Sequence, residues 1–360
     1  MPHSGVRPQA VVDAQGTVHV VYSGREHRDL FYIRQAAGKD GFSKPIQVNS
    51  TPDCAAAFNM ALGKQGRVHV LIRPNAKYSM NRLNRRPKFD DLKYMLYCRL
   101  NDEGTAFAAE RDLSGETYRF EGVGAIIADG RGIVRVFWHG QTKPGRENTR
   151  SIYMVRSGDE GKTFTEPTPI ESDVIGACAC CSMQATMDAR GRLYLAVRNS
   201  IEGGNKDSYL LTSSDGGKSF KGELLGPWPE AGCPGSIYSL ATDATGVVVA
   251  WDTLGKVYFA KVGEKPLRIA APLGDKISRA PVVAVNARGD VLLAWSEAST
   301  ARQFRKSGDL AWQVYNKAGK PITKKQVLPH AVARYSFAAT CAKPNGDFVI
   351  LYDGPGAKPE

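Results

Sequence analysis

The sequence predicts an all-β fold, a β-propeller of four-stranded antiparallel blades. One turn followed by an apolar strand recurs along the 360 residues. It reads "DAQGTVHVVY" from Asp13, "GKQGRVHVLI" from Gly63, "DGRGIVRVFW" from Asp129 and "DARGRLYLAV" from Asp188. It continues as "DATGVVVAW" from Asp243, "NARGDVLLAW" from Asn286 and "KPNGDFVILY" from Lys343. The anchor glycines, Gly16, Gly66, Gly132, Gly191, Gly246, Gly289 and Gly346, stand 43 to 66 residues apart. No segment shows a convincing helical period. One small antiparallel unit repeated at such a spacing points to blades.

The elements of a repeat follow in order. An apolar stretch such as "QAVV" or "APVVAV" precedes each anchor. The glycine supplies the positive φ of a tight hairpin, and Asp or Asn ahead of it can bond the turn backbone. Behind the second strand comes a third: "DLFYIR", "KYMLYCR", "SIYMVR", "SYLLTS", "KVYFAK", "LAWQVY". A weaker fourth follows, such as "KPIQV" or "EPTPI". Six repeats are complete, and the seventh supplies only two strands. The expectation is a single domain with blades near 8–50, 55–113, 120–171, 180–229, 236–272, 279–329 and 335–354. That is seven blades with an incomplete last one. The alternative is a six-bladed ring with redundant terminal strands.

A second turn is written twice between third and fourth strands: "SGDEGKTF" at residues 157–164 and "SSDGGKSF" at residues 213–220. Ser157, Asp159, Gly161 and Phe164 recur as Ser213, Asp215, Gly217 and Phe220. Ser and Asp side chains can tie down turn backbone, Gly permits the conformation, and Phe can pack under the sheet. Repetition on an outer turn marks a folding device.

Bulk properties narrow the partners. The net charge of +12 favours anionic ones. The basic stretch "NRLNRRPK" at residues 81–88 reads as a solvated loop; without a nucleic-acid motif, no nucleic-acid partner is expected. No apolar run approaches the roughly 18 residues of a membrane span. The opening "MPHSGVRPQ" lacks a leader pattern. A secreted or periplasmic protein whose leader lies outside this stretch is expected, with the cytoplasm as the alternative. The seven cysteines include the packed "CACC" of Cys178, Cys180 and Cys181, and Cys233 in the next blade connection. A disulfide across the connections, a thiolate metal site and buried thiols are the three readings. No cofactor is expected.

Seven residues past the anchors stand Ser23, Arg73, His139, Arg198, Thr253, Ser296 and Asp353. Each ends an apolar strand, where blades converge. Arginines at such offsets suit a ligand that carries a carboxylate.

The two strict turns match the Asp-box of the sialidase (neuraminidase) superfamily, also called the BNR repeat. "VRPQAVVDAQGTVHVVYSGREHRD" resembles the opening of that family, "DARGRLYLAVR" the segment with its second arginine, and "RYSFAATCAKPNGDFVILYD" its last blade. The resemblance implies that Arg7 and Arg198 hold a substrate carboxylate, that Arg25 stands beside the site, and that Asp29 is the acid/base. Tyr335 would be the nucleophile, neutral where a carboxylate would be repelled by the substrate. The family's third arginine has no match, and Lys256 stands nearest. Cys181 and Ser182 occupy the place of the glutamate that activates the tyrosine. The implied activity is exo-acting, retaining hydrolysis of terminal sialic or related acidic sugars. The rival is a non-catalytic propeller that binds glycan or protein on the same rim. An acidic glycan or glycoconjugate is the expected partner.

Overall fold

The computed structural model describes residues 5–25, 28–85, 88, 93–178, 180–201, 204–229, 235, 237–268, 276–300, 307–333 and 338–353. It is an all-β propeller with six four-stranded blades, which is the six-bladed alternative rather than seven. The first sheet holds β1 (Val6–Val12), β2 (Val18–Ser23), β3 (Leu30–Gln35) and β4 (Ile46–Gln47). The second holds β5 (Ala55–Leu62), β6 (Val68–Pro74), β7 (Leu96–Arg99) and β8 (Arg111–Asp112). The third holds β9 (Ala125–Ala128), β10 (Val134–Gly140), β11 (Ser151–Ser157) and β12 (Thr168–Pro169).

In the fourth sheet, β14 (Gln184–Met187), β15 (Leu193–Arg198), β16 (Ser208–Ser213) and β17 (Ser219–Gly226) are joined by β13 (Glu171–Ser172), which pairs parallel to β17. The fifth holds β18 (Tyr238–Asp243), β19 (Gly246–Thr253), β20 (Lys256–Lys261) and β21 (Leu267–Arg268). The sixth holds β22 (Ile277–Val285), β23 (Val291–Ala298), β24 (Ser307–Tyr315) and β25 (Gln326–Ala333). The last repeat forms only a two-stranded sheet, β26 (Ala339–Ala342) with β27 (Phe348–Leu351).

The second strand of each blade carries most of the core. β2, β10, β15 and β23 are buried at every position. A strand covered on both faces reads as a continuous apolar run, which is why "VVVAW" and "LYLAV" lack alternation. The outer strands β4, β8, β12 and β21 are two residues long, which leaves little open edge.

The chain divides into two compact units. One comprises Met1–Arg25, Ile33–Ser43 and Ser236–Glu360; the other comprises Glu26–Tyr32 and Lys44–Gly235. In the second unit, Leu71, Met95 and Tyr97 pack on Val134, Val136 and Trp138. On the other face of the third sheet, Ile127 and Phe137 pack on Leu193, Leu195 and Val197. In the first unit, Val248 and Phe259 pack on Leu293, Trp295 and Tyr315. Trp138, Trp251 and Trp295 are among the largest fully buried side chains. Burying a large apolar side chain contributes about 1.5–3 kcal/mol.

Turns behave as their chemistry dictates. Asp13 Oδ1 accepts the N–H groups of Gln15 and Thr17, and Asp129, Asp188 and Asn286 repeat the pattern at the same offsets. In the longer turn, Ser157 Oγ accepts from Gly161 N at 2.8 Å and donates to Asp159 Oδ1 at 2.7 Å. Asp159 in turn accepts from Thr163 N and Oγ1 at 2.9 and 2.6 Å. Ser213, Asp215, Gly217 and Ser219 repeat these bonds. Phe164 packs edge-on against Tyr97, and Phe220 against Phe137, so each turn is pinned to the preceding sheet.

Among the described residues, one α-helix breaks the all-strand expectation. α1 (Ala76–Leu83) starts at Asn75, whose side chain accepts from Tyr78 N, and stops at Asn84 in the left-handed region. The basic stretch read as a loop therefore begins inside a helix. Eight residues are too few for a hydrophobic period to announce it, and the cap is its only sequence signal.

Candidate functional site

Within the second unit, β6, β10 and β15 deliver Arg73, His139 and Arg198 to equivalent strand ends. Arg198 is 2% exposed. Its Nη1 donates to the Lys206 carbonyl, its guanidinium lies 5.6 Å from the Trp228 ring centre, and its own carbonyl accepts from Cys178 N at 2.9 Å. The arginine thus holds two loops to the end of β15. Arg73 is half-buried, and His139 is buried.

Beside these ends lies a cluster that the strand pattern does not announce. A single 3-10 turn, Glu147–Thr149, is followed by Arg150, whose side chain is 2% exposed. Arg150 Nη1 meets Glu147 Oε1 at 3.3 Å, and Nη2 meets Glu121 Oε1 at 3.6 Å. Glu147 Oε2 accepts from Lys206 Nζ at 2.6 Å and from Ser200 Oγ at 3.2 Å. A buried arginine is tolerable because two carboxylates compensate its charge. The carboxylates stay partly open, with side-chain exposures of 28% for Glu121 and 31% for Glu147.

The two glutamates titrate in opposite directions. Burial raises the Glu121 carboxyl above the ordinary glutamate range; Arg150 opposes the rise and Glu147 adds to it. Arg73 also acts on Glu121, which ties the β6 end to the cluster. Burial would raise Glu147 too. The hydrogen bond and charge of Lys206, with Arg150 and Ser200, outweigh it and hold Glu147 below its usual range. One carboxyl keeps its proton more readily and its neighbour gives it up, as acid and base partners require.

The residues that the family resemblance implied are dispersed in role. Asp29 Oδ1 accepts from Asn49 Nδ2 at 2.8 Å and Asp53 N at 2.7 Å, so that oxygen serves a turn. Arg7 sits at the irregular pairing between β1 and β2 with φ 53°, and it is half-buried. Arg25 is exposed. Lys256 opens β20 and pairs with Thr253 across a tight hairpin. Tyr335 lies outside the described residues. In the first unit, Asp252, next to the rim residue Thr253, stands 3.7 Å from Arg279, and Glu297, next to the rim residue Ser296, accepts from Trp295 Nε1 and Lys325 Nζ. Sequence reasoning missed Glu121, Glu147, Arg150, Lys206 and Arg279. The first four stand outside the strands, with only the i,i+3 spacing of Glu147 and Arg150 as a clue.

The cysteines are mixed in state. Cys178 and Cys181 are buried thiols, and Cys180 is disulfide-bonded; Cys233 lies outside the described residues. Cys54, Cys98 and Cys341 are buried thiols, and burial raises the pKa of each. His19 and His69 are packing residues: His19 faces Asp13 at 3.1 Å, and His69 faces Tyr97 Oη at 2.6 Å. No helix among the described residues is long and apolar enough to cross a membrane.

No family model and no curated protein matches the sequence. Solved structures do. The Hadza microbial sialidase Hz136 is similar at 14% identity and a TM-score of 0.54, over 89% of this chain and 70% of that one. The Trypanosoma rangeli sialidase in complex with 2,3-difluorosialic acid is similar at 13% and 0.53, over 82% of this chain and 52% of that one. The Penicillium chrysogenum α-L-arabinanase complexed with arabinobiose is similar at 11% and 0.51, over 88% of this chain and 95% of that one. At these identities the likeness concerns architecture, not chemistry. In fold, the chain is a β-propeller with six four-stranded blades, similar in architecture to these sialidases and this arabinanase.

Proposed function

We propose that this protein is a glycoside hydrolase for sugars that carry a carboxylate, with sialic acids as the first class to test. The observation that carries the reading is the pair of partly open carboxylates, Glu121 and Glu147, set on either side of buried Arg150; Glu121 is shifted up by burial and Glu147 down by Lys206. Glycoside cleavage needs a protonated acid at the leaving oxygen and an ionised partner. Glu121 is the acid in this reading, in place of Asp29, whose Oδ1 already accepts two N–H groups. Glu147 is the ionised partner. Arg73 supplies positive charge next to Glu121 and would draw the substrate carboxylate.

A second reading is supported by a different fact. Glu147 already accepts from Lys206, Ser200 and Arg150, and Arg198 is buried. Groups engaged in this way suit a site that holds an acidic glycan without cutting it.

A fluorogenic sialoside, glucuronide and arabinoside panel tests both. The parent is compared with Glu121→Gln, Asp29→Asn and Tyr335→Phe. Release by the parent and loss in Glu121→Gln supports the hydrolase. Release that vanishes only in Tyr335→Phe and Asp29→Asn restores the tyrosine scheme and removes Glu121. No release from any substrate, with retention on immobilised acidic glycan, selects the binding reading.

A further inference from the structure

The glycosidase reading leaves the cysteine loop between β13 and β14 without a task. Cys178 Sγ lies 3.2 Å from Cys180 Sγ and 3.8 Å from Cys181 Sγ, and all three sulfurs lie within 4.8 Å of one another. Their states differ: Cys178 and Cys181 are thiols at 2% exposure, whereas Cys180 is disulfide-bonded and partly exposed. A buried thiol thus touches a sulfur of a disulfide that solvent can reach.

We propose that Cys178, Cys180 and Cys181 form a thiol–disulfide exchange centre. Cys178 is the internal nucleophile, and Cys180 is the sulfur that meets small thiols or disulfides from solvent. Exchange runs by attack of a thiolate on a disulfide sulfur, so contact between the two is the first requirement. The Cys178 backbone is held for it by the bond from its N–H to the Arg198 carbonyl at 2.9 Å.

The charge around Cys178 suits the role. The groups that face it are Lys206, Glu147, Cys180 and Cys181. The hydrogen bond with Cys181 brings the Cys178 thiol down to about 7, against the burial that raises it; Lys206 adds to the fall and Glu147 opposes it. A thiolate near neutrality is what a redox-active cysteine needs. Cys181 acts through Cys178 and is a positioning residue.

The step balances without an added oxidant. Cys178 gives its proton to solvent, and the thiolate attacks Cys180 Sγ. The existing bond of Cys180 breaks, a Cys178–Cys180 bond forms, and the released cysteine takes up a proton. An external dithiol can then reduce the new bond to two thiols and leave as a disulfide.

The test uses the full chain, purified without reductant. It is equilibrated in mixtures of reduced and oxidised glutathione, quenched in acid and alkylated, and its disulfide peptides are mapped by mass spectrometry. Two connectivities of Cys180 are expected, one of them Cys178–Cys180, with their ratio following the glutathione ratio. Cys178→Ser removes the second connectivity, and Cys181→Ser slows its appearance several-fold. Circular dichroism checks that both variants fold, and the two connectivities of the parent stand without them. A single connectivity at every ratio overturns the proposal. So does one equivalent of bound zinc or copper shielding all three sulfurs from alkylation, which would make the cluster a thiolate metal site.

Discussion

The second unit carries two groups of carboxylates whose surroundings differ in kind. Asp159 and Asp215 spend their oxygens on their own turns, and bonds from Thr163 and Ser219 hold them far below the ordinary aspartate range. Glu121 and Glu147 instead share a buried arginine and keep about a third of their side-chain surface open. A carboxylate saturated by local N–H and O–H donors is a structural part; one held by distant charges and left open is available for chemistry. The contrast does not follow from residue type, since both groups are acidic and both lie in irregular segments.

The largest effect that would sharpen the contrast is on turnover. Glu121→Gln is expected to lower kcat by about 10²–10⁴-fold, the usual contribution of a positioned acid. Its pH profile carries a second signature. The carboxyl of Glu121 is raised, so the parent loses activity as pH climbs through a value above the ordinary glutamate range, and the variant lacks that limb. Linkage gives the same sign for stability: the folded state holds the proton longer, so Glu121 costs stability as pH rises through that window. Denaturant melts of parent and Glu121→Gln across pH 4–7 would show the difference.

The next effect lies in the turns and separates two copies of one motif. Gly161 has φ 77°, and a Cβ there would stand 1.7 Å from Tyr97 Oη. Tyr97 cannot retreat, because it is buried, bonds His69 and packs on Phe164. Gly161→Ala should therefore cost about 3 kcal/mol, from left-handed strain plus overpacking. Gly217 has φ 98°, but its Cβ would meet the Met154 sulfur at 2.9 Å, and that side chain is flexible. Gly217→Ala should cost only about 1–2 kcal/mol, mostly strain. Equal losses in thermal or urea melts would show that the motif, not its neighbour, sets the cost.

The smallest effect is a shared acid sensitivity. Asp159 and Asp215 are depressed in the folded state, so their contribution is complete above the ordinary aspartate value of about 4 and fades as pH falls below it. Asp159→Asn should flatten the acid limb of the stability curve, with its deficit against the parent complete at pH 8 and shrinking as pH falls. An unchanged acid limb would remove these aspartates from the account.

Much of the fold was legible because its signals are local. Glycine at a positive-φ turn, Asp two residues from an N–H it bonds, and a run of apolar residues each act within about ten residues. Gly16, Gly132, Gly191 and Gly289 all adopt the left-handed region that their turns require. The last repeat forms the two strands read from it, but counting it as a seventh blade was wrong, since a repeated turn shows where a strand begins and not which sheet is completed. The helix α1 escaped because two capped turns are too short to show a period.

The site was less legible. Arg73 and Arg198 were found because strand ends repeat, yet Arg198 proves to be a buried brace for the Lys206 loop. Glu147 and Arg150 lie 26 and 29 residues from Glu121, outside the strands, and no local rule links them to it. The sequence by itself determined the blade repeat, the turn chemistry and the surplus of positive charge, because each depends on neighbouring residues or on a sum. Only the tertiary structure decided which carboxylates meet Arg150 and which thiol touches Cys180, because desolvation and Coulomb attraction act through space between segments that the sequence leaves far apart.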